Sequence, residues 1–295
     1  MRTSGIRLTG LLVTLLIAAV THAGDPAQAP KPQTGLLAAA TKPATSPAAE
    51  VVIKRTYYDK EKTRLSDETP YLGKEMHGLR KTYYESGKLR SEAPFDHGKP
   101  HGAHRAWYES GQLMEEIPYV HGKVTGTVKT FYEDGQPAVI LPMVNDKPHG
   151  AVKRFHPDTK GQVQYVLEFK DGKRDGVMRE YSVGNKLVQE IPYVAGVKDG
   201  IERQYFESGE LKSETPWKNG KREGVQRVYT GKKTLLWEKP YNNDRLDGVV
   251  KCYWPGGKLH SEEVYKEGKK VGPGRFYDER GDPAADKATT QPAEK

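Results

Sequence analysis

Histidine is the one ligand-type side chain with a suggestive arrangement in this sequence. His77, His101 and His149 each stand directly before a glycine, and His97 and His121 each stand before another. If the segments carrying them stack, His77 and His101 become neighbours able to hold a metal ion or a proton between imidazoles. The same position becomes Asp175, Asp199, Glu223 and Asp247 further along. Histidine also tolerates turn backbone well, so a structural place in a turn is the preferred reading, with no metal site assigned.

Other chemistry is poorly represented. Nine Gly-Lys pairs occur, yet none is followed by Ser or Thr, so no phosphate-binding P-loop is present. The Gly-x-Ser-x-Gly elbow, the His-Glu-x-x-His helix and Cys-x-x-Cys are missing. Ser86, Ser110 and Ser208 precede glycines at turns and have no visible base to activate them. The later Asp-Gly turns supply no clustered oxygens for calcium. The single cysteine, Cys252, excludes an intrachain disulfide and reads as a small strand residue. The expectation is a protein that is not an enzyme and uses no cofactor.

These residues sit in a repeat. Glycines recur at 78, 102, 126, 150, 176, 200, 224, 248 and 272, a 24-residue period with one interval of 26 from an insertion near Asp158 to Lys160. Eight full repeats run from Leu79 to Gly272, with partial units at both ends. Each carries two X-Gly turn signals, such as Ser86-Gly87 and His97-Gly98, which supply the positive φ that tight hairpins need. The segments between have strand length and no 3.6-residue periodicity. The expected fold is all-β, an elongated antiparallel array of β-hairpin repeats of about 24 residues, two strands to each.

Three columns recur at fixed phase. The fifth position after the closing glycine is aromatic in every repeat: Tyr83, Trp107, Phe131, Phe155, Tyr181, Tyr205, Tyr229 and Tyr253. A second column reads Phe95, Tyr119, Met143, Phe169, Tyr193, Trp217, Tyr241 and Tyr265, and a third Leu89, Leu113, Pro137, Val163, Leu187, Leu211, Leu235 and Leu259. Stacking on neighbours must bury them, since no single repeat is large enough.

The third position is basic throughout: Lys81, Arg105, Lys129, Lys153, Arg179, Arg203, Arg227 and Lys251. With a two-residue loop at the Ser-Gly turn, it faces a position that is Glu in six repeats: Glu92, Glu116, Glu190, Glu214, Glu238 and Glu262. Such facing pairs fix register and add about 0.2 to 1 kcal/mol each. The basic column is also the candidate binding surface.

Composition agrees with a solvated array. Only 35% of residues are hydrophobic and 29% are charged; the +8 net charge is interleaved rather than blocked, which argues against nucleic acid. Residues 1–23 read as a signal peptide: Arg2 and Arg7, an apolar run too short to span a bilayer, then Thr21-His22-Ala23 before Gly24. Residues 24–50 read as an Ala/Pro-rich disordered linker, 51–282 as the repeat domain and 283–295 as a disordered tail. The expected location is periplasmic or extracellular, with no lipoprotein cysteine and no stable transmembrane span after cleavage.

The text Tyr83-Tyr84-Glu85-Ser86-Gly87-Lys88-Leu89-Arg90-Ser91-Glu92, answered by Tyr205-Phe206-Glu207-Ser208-Gly209-Glu210-Leu211-Lys212-Ser213-Glu214, resembles the variant MORN repeat of bacterial proteins often catalogued as YwqK-type antitoxins. The resemblance covers Tyr57 to Asp282 and implies a hairpin array used for binding. A protein partner is the first expectation, with an antitoxin or immunity role as a specialised form. An anionic envelope glycan or lipid head group, held by the basic and aromatic columns, is the alternative.

Overall fold

A computed structural model describes residues 50–284. The signal peptide, nearly all of the linker, and the tail from residue 285 lie outside the described residues. Every strand pairing among the described residues is antiparallel, and none of these residues is helical. No helix there is long and apolar enough to cross a membrane. The repeat domain extends slightly beyond its expected end, because Pro283 and Ala284 pair with Tyr277 and Phe276 instead of opening the tail. The chain divides into two compact units: one takes the described residues to Gln112 with Pro118–Lys123, the other Leu113–Ile117 with those from Val124 on.

A repeat contains three strand segments rather than two. In the first unit these are Leu89–Asp96, Lys99–Pro100 and Gly102–Trp107. The break between the last two falls at His101, whose N–H turns back to the Pro94 carbonyl at 3.0 Å. Gly102 there has φ +108°, and a Cβ on it would lie 2.8 Å from Pro94 Cγ, so both backbone and packing demand glycine.

The two turns differ. His97-Gly98 is a two-residue loop with positive φ at both positions, 44° and 76°, as a type I′ hairpin requires. The Ser-Gly turn is a three-residue loop, Glu85–Gly87, closed by Tyr84 N–H to Lys88 C=O (2.9 Å) and Gly87 N–H to Tyr84 C=O (2.9 Å). On its own it would slip the register by one. A β-bulge at Arg90 restores it, so Lys81 still faces Glu92 as a two-residue loop would have placed it. The 26-residue interval is absorbed here too: the corresponding loop is closed by His156 N–H to Gln162 C=O and holds Asp158 and Lys160 at positive φ.

Hairpins are stitched to their predecessors by the type I′ turns. Gly98 N–H donates to Met76 C=O in the first unit, and Gly172 to Pro148, Gly196 to Arg174 and Gly220 to Lys198 in the second, each at 2.8 Å. At the other edge, side chains of the sixth repeat position cap the next repeat's carbonyl: Tyr84 Oη to Trp107 O (2.6 Å) and Tyr132 Oη to Phe155 O (2.8 Å).

The buried side chains lie mainly on one face. In the second unit Val128, Leu141, Val152, Leu167 and Ile191 form one buried row across successive strands, with Met143, Phe169 and Tyr193 beside it. The fifth-position aromatics, expected in the core, alternate onto the other face, and Phe155 alone of that column is buried. The third column is half-buried, and within the units its members face aromatics across the bulge, as Leu89 faces Tyr83, Pro137 faces Phe131 and Leu211 faces Tyr205.

Candidate binding face

The basic column forms a cross-strand charge row. In the first unit the register runs Arg55, Glu68, Lys81, Glu92, Arg105, alternating in sign at every strand. In the second unit Arg179, Glu190, Arg203, Glu214, Arg227, Glu238, Lys251, Glu262 and Arg275 do the same. Ion pairs close at 3.0 Å for Arg179–Glu190 and Arg203–Glu214, and at 3.3 Å for Arg227–Glu238. Each basic residue thus has an acid on both sides where the alternation is complete, and the row's positive charge is balanced locally.

The fifth-position tyrosines stand on this face beside the row and bond to it. Tyr83 Oη donates to Glu68, Tyr205 to Glu190 and Tyr253 to Glu238, each at 2.9 Å. Burial, and then the carboxylate acceptor, raises all three phenol pKa values, that of Tyr253 to about 12. Glu68 moves the other way, held low by hydrogen bonds from Arg55 first and Tyr83 second.

The alternation breaks at one place. Lys129 faces Glu116 on one side, with Nζ 3.7 Å from its carboxylate, but Ile140 on the other. Lys153 faces Ile140 and Val166, so no carboxylate stands across from it on either strand. Pro142 and Ala151 flank it on the same face, and Val144 beyond them is exposed. The second unit therefore presents an exposed lysine among half-exposed apolar side chains, bordered by paired charges.

A different cationic feature lies on the opposite face. Arg174 packs over Tyr193 (5.2 Å), Lys198 over Trp217 (4.3 Å) and Arg222 over Tyr241 (4.1 Å), so cations and rings interleave along successive repeats. Sequence reading missed these cations because they occupy the short strand, where the first unit places Met76 and Pro100. Lys198 also bonds buried Glu202 at 2.7 Å, which ties the stack into the fold.

The recurrent histidines do not bridge between repeats as His77 to His101. Each accepts a backbone N–H from a turn about twenty residues on: His77 Nδ1 from His97 (3.5 Å), His101 Nδ1 from His121 (3.3 Å) and His149 Nδ1 from Asp171 (3.4 Å). Asp175 and Asp199 accept from Ala195 and Asn219 at 3.1 and 3.0 Å. An acceptor is what the position requires, which explains the change from imidazole to carboxylate along the chain.

Each unit carries a hollow among its described residues. One, of about 160 Å³, lies in the first unit between Arg80, Phe95, Pro100, His104 and Tyr119. That is small beside ligand pockets of roughly 300 Å³ upward, and burial there pushes the His104 pKa down. The other is an open depression of about 540 Å³ between Tyr205 and Tyr229, with Glu210 and Lys233 at its rim. Ser208 lines it and hydrogen-bonds the Glu210 carboxylate, which that bond holds below its ordinary pKa. Cys252 is buried, and burial raises its thiol pKa to about 11.

With two turn types, a 24-residue hairpin unit and the closing glycines in place, the family is decided by residues 76–97, 100–121, 124–145, 198–219 and 246–267, which match the MORN repeat variant. This chain carries variant MORN repeats. The remaining repeats keep the same strands and turns without matching, as at Leu187–Val194 and Leu235–Asn242. No curated protein matches this MORN-repeat chain. Among solved structures, "Crystal Structure of TcdB2-TccC3-Cdc42" is similar at 13% identity and a TM-score of 0.19, covering 80% of this chain and 12% of that one. At that score the likeness carries no inference about function.

Proposed function

We propose that this MORN-repeat protein is an exported, non-enzymatic binding module that holds a protein partner against the face carrying the charge row. The observation that carries this reading is the break at Lys153. Elsewhere in that row each cation faces a carboxylate on at least one neighbouring strand, so a ligand must displace an ion pair to use it. At Lys153 a single cation stands among Ile140, Val166 and Pro142. That chemistry suits an acidic side chain ringed by apolar ones, the usual make-up of an interface centre. Variant MORN repeats support the interaction-module part of the proposal, and the signal-like residues 1–23 support export to the periplasm or beyond. Neutralisation of a toxin is one form such a partnership takes.

Site-specific photocrosslinking tests this. A crosslinker at Ile140 or Lys153 is expected to trap one defined protein in the native envelope fraction, and one at Arg203 to trap none. Equal trapping at both places overturns the assignment to the Lys153 patch. A second reading, an anionic glycan, is favoured by the depression between Tyr205 and Tyr229 with Lys233 at its rim. It predicts binding to an anionic polysaccharide that weakens steeply with salt and on Arg179→Ala, Arg203→Ala and Arg227→Ala; salt-independent binding excludes it.

A further inference from the structure

Five of the nine histidines fall between residues 77 and 121, in the first unit. The type I′ turn brings the first of them together. Gly98 N–H bonds Met76 C=O at 2.8 Å, which seats His97 against His77 with ring centroids 4.9 Å apart and planes at 65°. Asp96, the last residue of the strand entering the turn, completes the group. Its Oδ1 lies 3.3 Å from His77 Nδ1 and 2.7 Å from His97 Nδ1. All three ligand atoms lie within 4.8 Å of one another.

We propose that His77, Asp96 and His97 form a surface site for a divalent transition-metal ion, Zn²⁺ foremost. Two imidazole nitrogens and one carboxylate oxygen are a ligand set that suits zinc, nickel and copper rather than calcium or magnesium. Bonds of about 2.0 to 2.2 Å in tetrahedral geometry place ligand atoms roughly 3.4 Å apart, close to the 3.3 Å between His77 Nδ1 and Asp96 Oδ1, while the 2.7 Å contact of His97 with Asp96 opens as the metal replaces its proton. The group also needs little remodelling. The His97 N–H to His77 Nδ1 bond is long at 3.5 Å and weak to lose, and the His97 Nδ1 proton passes to Nε2 by tautomer exchange. Asp96 is already held ionised by its hydrogen bond to His97. The side chains are 34%, 45% and 65% exposed, leaving a fourth position open to water or to a partner's side chain.

The neighbouring repeat is a natural control. His101 and His121 repeat the arrangement with centroids 4.8 Å apart, but Val120 stands where Asp96 stands in the first pair. His149 has Asp171 at 3.4 Å and no second histidine beside it. The ligand count thus falls from three to two from each of these pairs.

Calorimetric titration of the full chain with ZnCl₂ in a non-chelating buffer at pH 7.5 tests the site. One site per chain is expected, weakened at least tenfold by Asp96→Asn, lost in His77→Ala/His97→Ala and unchanged in His149→Ala. Val120→Asp, at an exposed position, is expected to raise the stoichiometry to two. Circular dichroism without metal reports whether each variant folds. In the unsubstituted chain, Ni²⁺ or Cu²⁺ is expected to broaden the His77 and His97 resonances first, which keeps the test decisive if a variant does not fold. Absence of Zn²⁺ binding to the unsubstituted chain, undiminished stoichiometry in the folded double variant, or broadening centred elsewhere overturns the proposal.

Discussion

A side chain's worth in this array depends on what its register places on either side. Arg203 stands between Glu190 and Glu214, whereas Lys153, fourth in the same column of eight basic residues, stands between Ile140 and Val166. Reversing the charge at each separates the two environments. Arg203→Glu places like charges opposite one another on both sides and is expected to lower stability by about 0.5 to 2 kcal/mol, recovered in part by adding Glu214→Arg. Lys153→Glu meets no carboxylate across either strand and is expected to shift stability by less than about 0.5 kcal/mol while abolishing partner binding. Urea denaturation at low and high salt measures both, and the Arg203→Glu penalty is expected to shrink with salt because the pairs are partly exposed. Equal penalties for the two substitutions would remove the physical basis for distinguishing the Lys153 patch.

Turns set that register, and their glycines differ in what they must avoid. Gly200 has φ +116°, and a Cβ there would lie 2.9 Å from Pro192 Cγ. Gly209 has φ +92° with nothing within 4 Å of a Cβ. Gly200→Ala therefore meets both strain and collision, Gly209→Ala strain alone. The expected losses are about 2 to 4 kcal/mol and 1 to 2 kcal/mol respectively, read from thermal melts. The period, both turns and the facing of Lys81 by Glu92 were all legible in sequence, because Gly and charge are discrete marks at fixed phase. Facing emerged for an incomplete reason: the three-residue loop at Glu85–Gly87 and the bulge at Arg90 offset one another, and a bulged residue carries no mark of its own. The core was less legible. Its row reads Val128, Val152, Met178, then Glu202 and Gln226 at equivalent positions, so no residue type recurs to reveal it. Aromatics recur more strictly at the fifth position, yet there they serve the charge row. The histidine position was visible as a column, but its task as an N–H acceptor needed the turn's seating on the preceding repeat.

Across the whole molecule the same tyrosine-to-glutamate arrangement recurs in both units, and this makes alkaline pH the sensitive direction. Tyr83, Tyr205, Tyr229 and Tyr253 have raised pKa values, in each case chiefly from burial, and Tyr265 is raised likewise. A phenol with a raised folded pKa binds its proton more tightly folded than unfolded. Its contribution is fully present below the unfolded value of 10 and is lost as pH rises through the folded value, about 12 for Tyr253. Cys252 acts in the same sense from its ordinary 9.0 toward about 11. Stability is therefore expected to hold near neutrality, begin falling at pH 9 to 10 and decline steeply toward pH 12. Urea midpoints at pH 8, 10 and 11.5 measure this, with tyrosinate absorbance followed in parallel. Tyr253→Phe cannot ionise and is expected to lessen the loss between pH 10 and 12, while Glu238→Gln, which removes the carboxylate acceptor, is expected to lower the Tyr253 pKa. Complete tyrosinate formation by pH 10.5 in a chain that keeps its strand signal would show that these phenols are neither desolvated nor bonded to the charge row.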